Sequence, residues 1–223
     1  IDQIMRARTF REVRPSESER LIDSMTTLSP QIRYWLDTGW VAKKKLVNLL
    51  MPEVCSIPRG KAGKDVEFGL KWGLTRFGGG FLLGHAGAER GNFNDKKHVE
   101  ESVTETKELF GDAPQTYAYD RGGYSQKNIQ TLSKLGVRRV GIAPPGSAKW
   151  EVDDKTRRRV RRERVKVEGS IGALKSSRYG FNRPNVRSTE MMLASGHRSI
   201  LGYNLNRLLQ RVAEREEIQL AGA

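Results

Sequence analysis

Two acidic residues, Asp120 and Glu168, occupy sequence settings that suit chemistry on a phosphodiester. Asp120 ends the short apolar stretch YAYD and is followed directly by Arg121 and two glycines. Glu168 closes the run RRRVRRERVKVE, the most basic stretch of the chain. Carboxylate oxygens are the ligands that Mg²⁺ prefers, and neighbouring cations can hold phosphate oxygens. If folding brings the two acids together, they predict a metal-dependent site that acts on a nucleic acid.

Each acid also has a purely structural interpretation, and the residues alone leave both open. Asp-x-Gly sequences often begin turns, so Asp120 can serve only to start the turn after its strand. Glu168 can pair with Arg164 on a solvated helix face, which is the simpler interpretation of a single acid in a basic run. Two carboxylates are also few ligands for two metal ions, so a third acid is expected.

Glu168 and the surrounding cations share a site only if a helix carries them. On either side of Glu168, basic residues recur at three- or four-residue steps, with Gly172 in the same series, so that they share one helix face. The basic run therefore predicts a helix on which a carboxylate is flanked by cations. The candidate DNA contacts on this helix are Arg157, Arg158, Arg161, Arg164 and Lys175.

Asp120 needs a strand that ends directly before it. The segment QTYAYD places Tyr117 and Tyr119 on one face of a short strand, and VRRVGIA predicts a second buried strand. In open α/β sheets, ligands bind beyond the carboxyl ends of the strands. The two glycines after Asp120 would let a bulky substrate approach its carboxylate.

A further basic segment, IPRGKAGKDVEFG, precedes these strands. Arg59, Lys61 and Lys64 form a basic loop in which two glycines would let backbone amides approach a phosphate. A plain flexible turn is an equally good interpretation. Arg59 and Lys61, together with Arg121 in the turn after the second strand, complete the candidate DNA contacts.

The first 52 residues predict a helical segment. The first helix carries Leu21 and Met25 at helical spacing, the second starts at Ser29 and Pro30, and the third runs from Val41 to Leu50.

The rest of the chain predicts an α/β fold. One strand through 66–72 reverses at Gly78–Gly80 to form a hairpin, and Ser125 caps a later helix. The order hairpin, helix, strand, helix, strand and helix is typical of a sheet with crossover helices. A final amphipathic helix extends from about Thr189 to Glu217.

The charge balance indicates a polyanionic partner. Lys and Arg number 40 against 26 acids, giving a net charge of +14 and a pI near 10.1. Nucleic acid is the first candidate and an acidic membrane surface the second. No apolar run approaches the ~20 residues of a membrane span. Cys55 is the single cysteine, which is consistent with a reducing cytosol.

Two other kinds of site lack support in the sequence. His85, His98 and His197 are far apart and have no Cys partners at zinc spacing, so no zinc site is predicted. His98 is expected on an exposed helix face. No Ser stands in the pattern of a nucleophile elbow, so Ser-His-Asp hydrolysis is not predicted.

Several segments together resemble the catalytic domain of bacterial insertion-sequence DDE transposases over roughly residues 48–210. In chain order they are VEFGLKWG with GGFLLG, YAYDRGGYS with GVRRVGIAPPG, RRERVKVEGSIGALKSSRYG, and LGYNLNRLL. The resemblance implies an RNase H-like α/β fold at 53–212, in which helices flank a mixed sheet. It also implies that 1–52 is the tail of a helical insertion and that 213–223 is a flexible tail.

The same resemblance implies DNA cleavage by water with Mg²⁺ (or Mn²⁺), followed by attack of the freed 3′-hydroxyl on target DNA. Asp120 matches the second catalytic acid of the family and Glu168 the third, both as metal ligands. Arg164 and Lys175 match the family's Arg and Lys, whereas Arg161 stands where the family has Tyr. The implied partners are transposon-end and target DNA and another copy of the chain, in the bacterial cytoplasm at the nucleoid.

The first catalytic Asp of the family is not found. Asp2, Asp23 and Asp37 fall in helical or turn contexts, and Asp65 lies in the loop before the hairpin. The chain also begins without Met, so we expect the carboxyl-terminal part of a longer transposase. The alternative is a catalytically inactive, basic DNA-binding remnant. An RNA-packaging protein fits the alternation of strands and helices less well.

Overall fold

The computed structural model describes residues 15–61, 64–86 and 95–221. For 15–17, 58–61, 64–65 and 221 it describes the backbone alone. The predicted mixture of helices and strands is confirmed. In chain order the elements are α1 (Pro15–Thr38), β1 (Cys55–Lys61), β2 (Lys64–Gly69), β3 (Trp72–Arg76), β4 (Leu82–Ala86), α2 (Asp95–Phe110), β5 (Thr116–Tyr119), α3 (Gln126–Lys134), β6 (Arg139–Ile142), α4 (Asp154–Leu174) and α5 (Thr189–Ala221).

The chain divides into two compact units. The first contains the described residues of Ile1–Lys71, Ala86–Asn92 and Asn185–Leu193. The second contains those of Trp72–His85, Phe93–Pro184 and Ala194–Ala223. Asp120 and Glu168 therefore belong to the same unit.

In the first unit, the expected break at Pro30 is wrong. Helix α1 continues through Pro30 to Thr38. Proline removes one backbone donor, while the hydroxyls of Thr26 and Thr27 add donors to carbonyls in the turn before it, at 2.8 and 3.0 Å. The helix ends at Gly39, whose φ of +71° is the left-handed conformation that favours glycine.

The expected third helix, over 41–50, is also wrong. The amide of Gln31 holds this segment as a loop, since its Oε1 accepts from Leu46 N at 2.8 Å and its Nε2 donates to the carbonyl of Lys44. The side chain of Asn48 accepts from the backbone N–H of Leu50 at 2.9 Å. Side-chain bonds of this kind compete with helical hydrogen bonds, which explains the loop.

The strand expected over 66–72 is divided in two. β2 ends at Gly69 and pairs antiparallel with β1, with Cys55 opposite Gly69. β3 starts at Trp72 and pairs with β4. The alternation of apolar residues continues across the break, so the pattern alone does not reveal it.

The predicted reversal at Gly78–Gly80 is confirmed, and α5 holds it in place. Gly79 and Gly80 have φ of +78° and +94°. Arg207 Nε donates to the carbonyl of Gly79 at 2.7 Å, and Arg211 Nε donates to the same oxygen at 3.2 Å. The Asn204 amide accepts from Leu82 N and donates to Leu82 O, at 2.8 and 2.7 Å.

Strands β5 and β6 are parallel, with Tyr117 opposite Val140 and Tyr119 opposite Ile142. Helix α3 connects them and is capped as predicted, because Ser125 Oγ accepts from Asn128 N at 3.0 Å. One hydrophobic core lies between these strands and helices α2 and α3. Its buried members are Val99, Val103, Tyr117, Leu132, Val137 and Ile142.

Helix α4 joins this core to a second one. Val160 packs against β6, where the absent side chain of Gly141 leaves it room. Further along α4, Leu174 packs with Leu82 of the hairpin and Ile200 of α5. The helix that carries Glu168 therefore packs on the parallel pair and on the hairpin.

The strands of the described ranges form three two-stranded sheets, whereas the resemblance implies one mixed sheet. Residues 213–221, expected to be a flexible tail, continue helix α5. None of the helices within these ranges combines the length and the apolar content that a membrane span requires.

Candidate functional site

Asp120 lies at the carboxyl end of β5 and shapes the turn that follows. Its Oδ1 accepts a hydrogen bond from Gly122 N at 2.6 Å and so caps the single 3₁₀ turn Arg121–Gly123. The side chain is exposed. Asp120 thus does start the turn, as its structural interpretation says, and it does so through Oδ1. The side chain also faces solvent at the strand end, where α/β folds bind ligands.

A second carboxylate, that of Asp95, lies beside Asp120. A Cβ atom placed on Gly122 would be 2.9 Å from Asp95 Oδ2 and 3.0 Å from Asp120 Oδ1. The two oxygens are therefore at most about 6 Å apart, the sum of those distances, compared with the ~4 Å that two ligands of one Mg²⁺ span. The sequence analysis did not single out Asp95, and the signal it missed was the glycine that makes room for its carboxylate.

Tyr119, the last residue of β5, lies next to both acids. Burial raises the pKa of its hydroxyl well above the ordinary value, and the negative charges of Asp95 and Asp120 raise it further. The ring also lies 5.9 Å from that of His98, centroid to centroid. Tyr119 therefore stays protonated at neutral pH beside the pair of carboxylates.

Both glycines after Asp120 are closely packed, whereas the sequence suggested only that they leave room for a substrate. A Cβ atom on Gly123 would be 2.5 Å from the Tyr119 ring and 2.6 Å from Val99. Gly122 leaves room for Asp95 in the same way. The Arg-Gly-Gly turn is thus compact because the start of α2 lies against it.

The expectation for His98 is wrong. The residue is 2% exposed and fills the space that Gly73 of β3 leaves open. Its ring stacks with that of His85 at a centroid distance of 6.4 Å. His98 therefore links the hairpin to β5 through Tyr119, although the two histidines are distant in sequence.

Glu168 lies on the exposed face of α4, with 72% of its side chain accessible. Arg164 Nη2 is 4.0 Å from Glu168 Oε1, a pair at the limit of ion-pair distance that contributes little to stability. Glu168 is thus available to solvent on a helix that packs on the strand preceding Asp120.

The candidate DNA contacts have different surroundings. Arg157 is engaged at the start of α4, where it pairs with Asp154 at 3.3 Å and donates to the carbonyl of Trp150 at 3.2 Å. Lys175 is the C-cap residue of α4. The side chains of Arg59 and Lys61 lie outside the described residues. Exposed positions are occupied by Arg121, Arg158 and Arg161, whereas Arg164 is half-buried.

The donor chemistry of the site fits a divalent metal ion. Magnesium is commonly held by one or two carboxylates, with water and substrate phosphates as the remaining ligands. Asp95 and Asp120 supply such oxygens. Within the described part of the chain, no three His, Cys, Asp or Glu side chains are grouped closely enough to enclose a metal ion.

Comparisons of this chain with protein-family models, with curated proteins and with solved structures found no significant match.

Proposed function

We propose that this chain is the carboxyl-terminal part of a DDE-type DNA transposase with an RNase H-like fold. The observation that carries the proposal is the exposed carboxylate of Asp120, at the carboxyl end of a parallel strand pair, with a second carboxylate close by. The transposase-like segments around Asp120 and Glu168 support it. Transposon ends and target DNA would be the partners, at the nucleoid of a bacterial cell.

In this proposal Asp120 and Glu168 would hold the metal ion, and bound Mg²⁺ or Mn²⁺ would supply a polarised water and neutralise charge on the phosphate. Glu168 would have to come within reach of the same ion from its exposed position on α4. Arg161 and Arg164, close to Glu168 around the helix, hold the phosphates of the strand being cut. The protein forms no covalent bond with DNA, so its contribution is to position and to neutralise charge.

Iron-directed cleavage tests the shared site without requiring activity. Fe²⁺ replaces Mg²⁺ in oxygen-ligand sites and, with ascorbate and peroxide, cuts the backbone next to the bound ion. We expect cuts near both Asp120 and Glu168, and excess Mg²⁺ should suppress them. Cuts near only one of the two residues would show that they do not share an ion and would overturn the proposal.

A plasmid-nicking assay then tests the chemistry. In a longer transposase that carries this segment together with the first catalytic Asp, we expect Mg²⁺-dependent nicking that Asp120→Asn or Glu168→Gln reduces at least ~100-fold, since metal-ligand and charge contributions of this kind amount to several kcal/mol. Glu108→Gln is the matched control, because Glu108 is an exposed acid on α2. Equal nicking by the control and the two site variants would refute the assignment.

A basic DNA-binding remnant without activity is the second candidate. It is favoured by the absence, among the described residues, of a group of three metal-binding side chains. This candidate predicts salt-sensitive DNA binding without nicking in either metal. Nicking by the purified chain that disappears in Asp120→Asn would exclude it.

A further inference from the structure

Helix α4 carries two kinds of cation. One kind is paired with acids on the same helix: Arg157 with Asp154 at 3.3 Å, and Lys166 with Glu163 at 2.8 Å. Arg164 also belongs to this kind, since its Nη2 is 4.0 Å from Glu168 Oε1. The other kind makes no ion pair or side-chain hydrogen bond within the described ranges, and it comprises Lys155, Arg158, Arg159, Arg161 and Arg162.

Three of these unpaired cations, Lys155, Arg158 and Arg162, form a stripe along the exposed side of α4, which we call the 155–158–162 stripe. With Arg161 they line an open depression of about 480 Å³. Along the helix axis they advance by about 4.5 Å and then about 6 Å. The stripe is therefore an elongated row of positive charge, the shape that follows a phosphate backbone.

Like charges at these spacings repel one another and destabilise a helix. A bound polyanion removes that repulsion and releases its own counterions, which makes binding favourable at moderate salt. Arginine is also the residue that pairs best with phosphate, through its planar fork of donors. The unpaired state of the stripe thus fits an external phosphate backbone better than an internal partner.

The stripe and Glu168 point in different directions. Helical geometry places Glu168 about 80° to 140° around the α4 axis from the three cations. A phosphate held by the stripe is consequently not the phosphate beside Glu168. Together with the proposed function, on which this inference rests, the geometry points to two DNA segments bound by one helix. We propose that the 155–158–162 stripe binds a second duplex, the target DNA, while the Glu168 side of α4 binds the DNA that is cut.

The test counts duplexes per chain in the absence of metal ions, by sedimentation velocity with two differently labelled 25-base-pair duplexes. We expect the natural chain to bind two duplexes, of the same or of different label, and Lys155→Glu with Arg162→Glu to bind one. The matched control is Lys107→Glu with Lys134→Glu, which makes the same change in net charge at exposed positions of α2 and α3. The control should still bind two duplexes.

Three results would overturn the inference: one duplex per natural chain, two duplexes on the stripe variant, or loss of both duplexes in that variant. Capture by vesicles of 30% phosphatidylserine that depends on the stripe, with an unchanged duplex count, would assign the stripe to a membrane surface and also overturn it. Because counting needs neither metal nor cleavage, two duplexes per natural chain together with iron-directed cuts near only one of Asp120 and Glu168 would reject the proposed function alone.

Discussion

The carboxylates of Asp95 and Asp120 approach each other across Gly122, although one begins a helix and the other ends a strand. The close approach depends on the missing side chain of that glycine. Gly123, the next residue, is packed against the hydrophobic core instead. Gly122 therefore makes room for two carboxylates, whereas Gly123 makes room for core side chains. Alanine substitutions at the two positions can distinguish these roles.

Gly123→Ala should destabilise the protein, and Gly122→Ala should not do so to the same degree. The new methyl group on Gly123 would meet the Tyr119 ring and Val99, both held by the core, and overpacking of this kind costs about 1–3 kcal/mol. On Gly122 it would meet the ends of two side chains, which can rotate away. Urea denaturation of both variants measures the difference, and equal free energies of unfolding would contradict the packing described for Gly123.

The raised pKa of Tyr119 predicts a loss of stability at alkaline pH. Its contribution is fully present below the ordinary tyrosine pKa of about 10 and is lost as pH rises above that value, because the unfolded state releases its proton first. One such tyrosine changes the free energy of unfolding by up to ~1.4 kcal/mol per pH unit. We expect Tyr119→Phe to flatten this dependence between pH 10 and 12.

Two controls accompany the alkaline prediction. Tyr34→Phe removes an exposed tyrosine and should leave the pH dependence as it is. Asp95→Asn should lower the pKa of Tyr119 in an absorbance titration at 295 nm, because the charge of Asp95 raises it. An unchanged titration in Asp95→Asn would mean that Asp95 is not next to Tyr119.

Gly73→Ala should destabilise the second unit because His98 occupies the space of the new methyl group. We expect a loss of about 1–3 kcal/mol, the range for an overpacked core. Gly69→Ala, where the space is open, is the control and should change stability little. In Gly73→Ala with His98→Ala, the two substitutions should cost less together than the sum of their separate effects. Additive costs in this double variant would show that His98 does not fill the space beside Gly73.

Glu168→Gln should leave stability nearly unchanged. The pair with Arg164 is exposed and long, and such pairs contribute ~1 kcal/mol or less. A thermal melting temperature within a few degrees of the natural protein is therefore expected, so that any loss of nicking reflects chemistry and not unfolding. A large drop in the melting temperature would show that Glu168 has a structural role.

The helices and strands of the second unit were predictable because their local signals agree. Ser125 supplies a cap and Gly78–Gly80 a reversal, and each signal acts within a few residues of where it stands. Where a side chain distant in sequence determines the backbone conformation, the sequence-based prediction was wrong. Gln31 holds 41–50 as a loop by bonding to its backbone, and no local pattern in that segment shows this.

The candidate site was predictable only in part for the same reason. Asp120 stands at a strand end and Glu168 on a basic helix, as their sequence settings indicated. The nearness of Asp95 depends on the fold of the Arg-Gly-Gly turn against α2. The pairing of cations on α4 is not fixed by spacing alone, because Asp154 lies one turn from both Arg157 and Arg158 and pairs with Arg157.

Arg207 and Arg211 of helix α5 donate hydrogen bonds to the carbonyl of Gly79 in the hairpin turn. During synthesis, both hairpin strands leave the ribosome long before those arginines are made. Until α5 emerges, Leu82 lacks its apolar contact with Ile200. The nascent chain therefore exposes apolar surface that is prone to aggregate. Chaperones that shield newly made chains would have the longest opportunity to act on this segment.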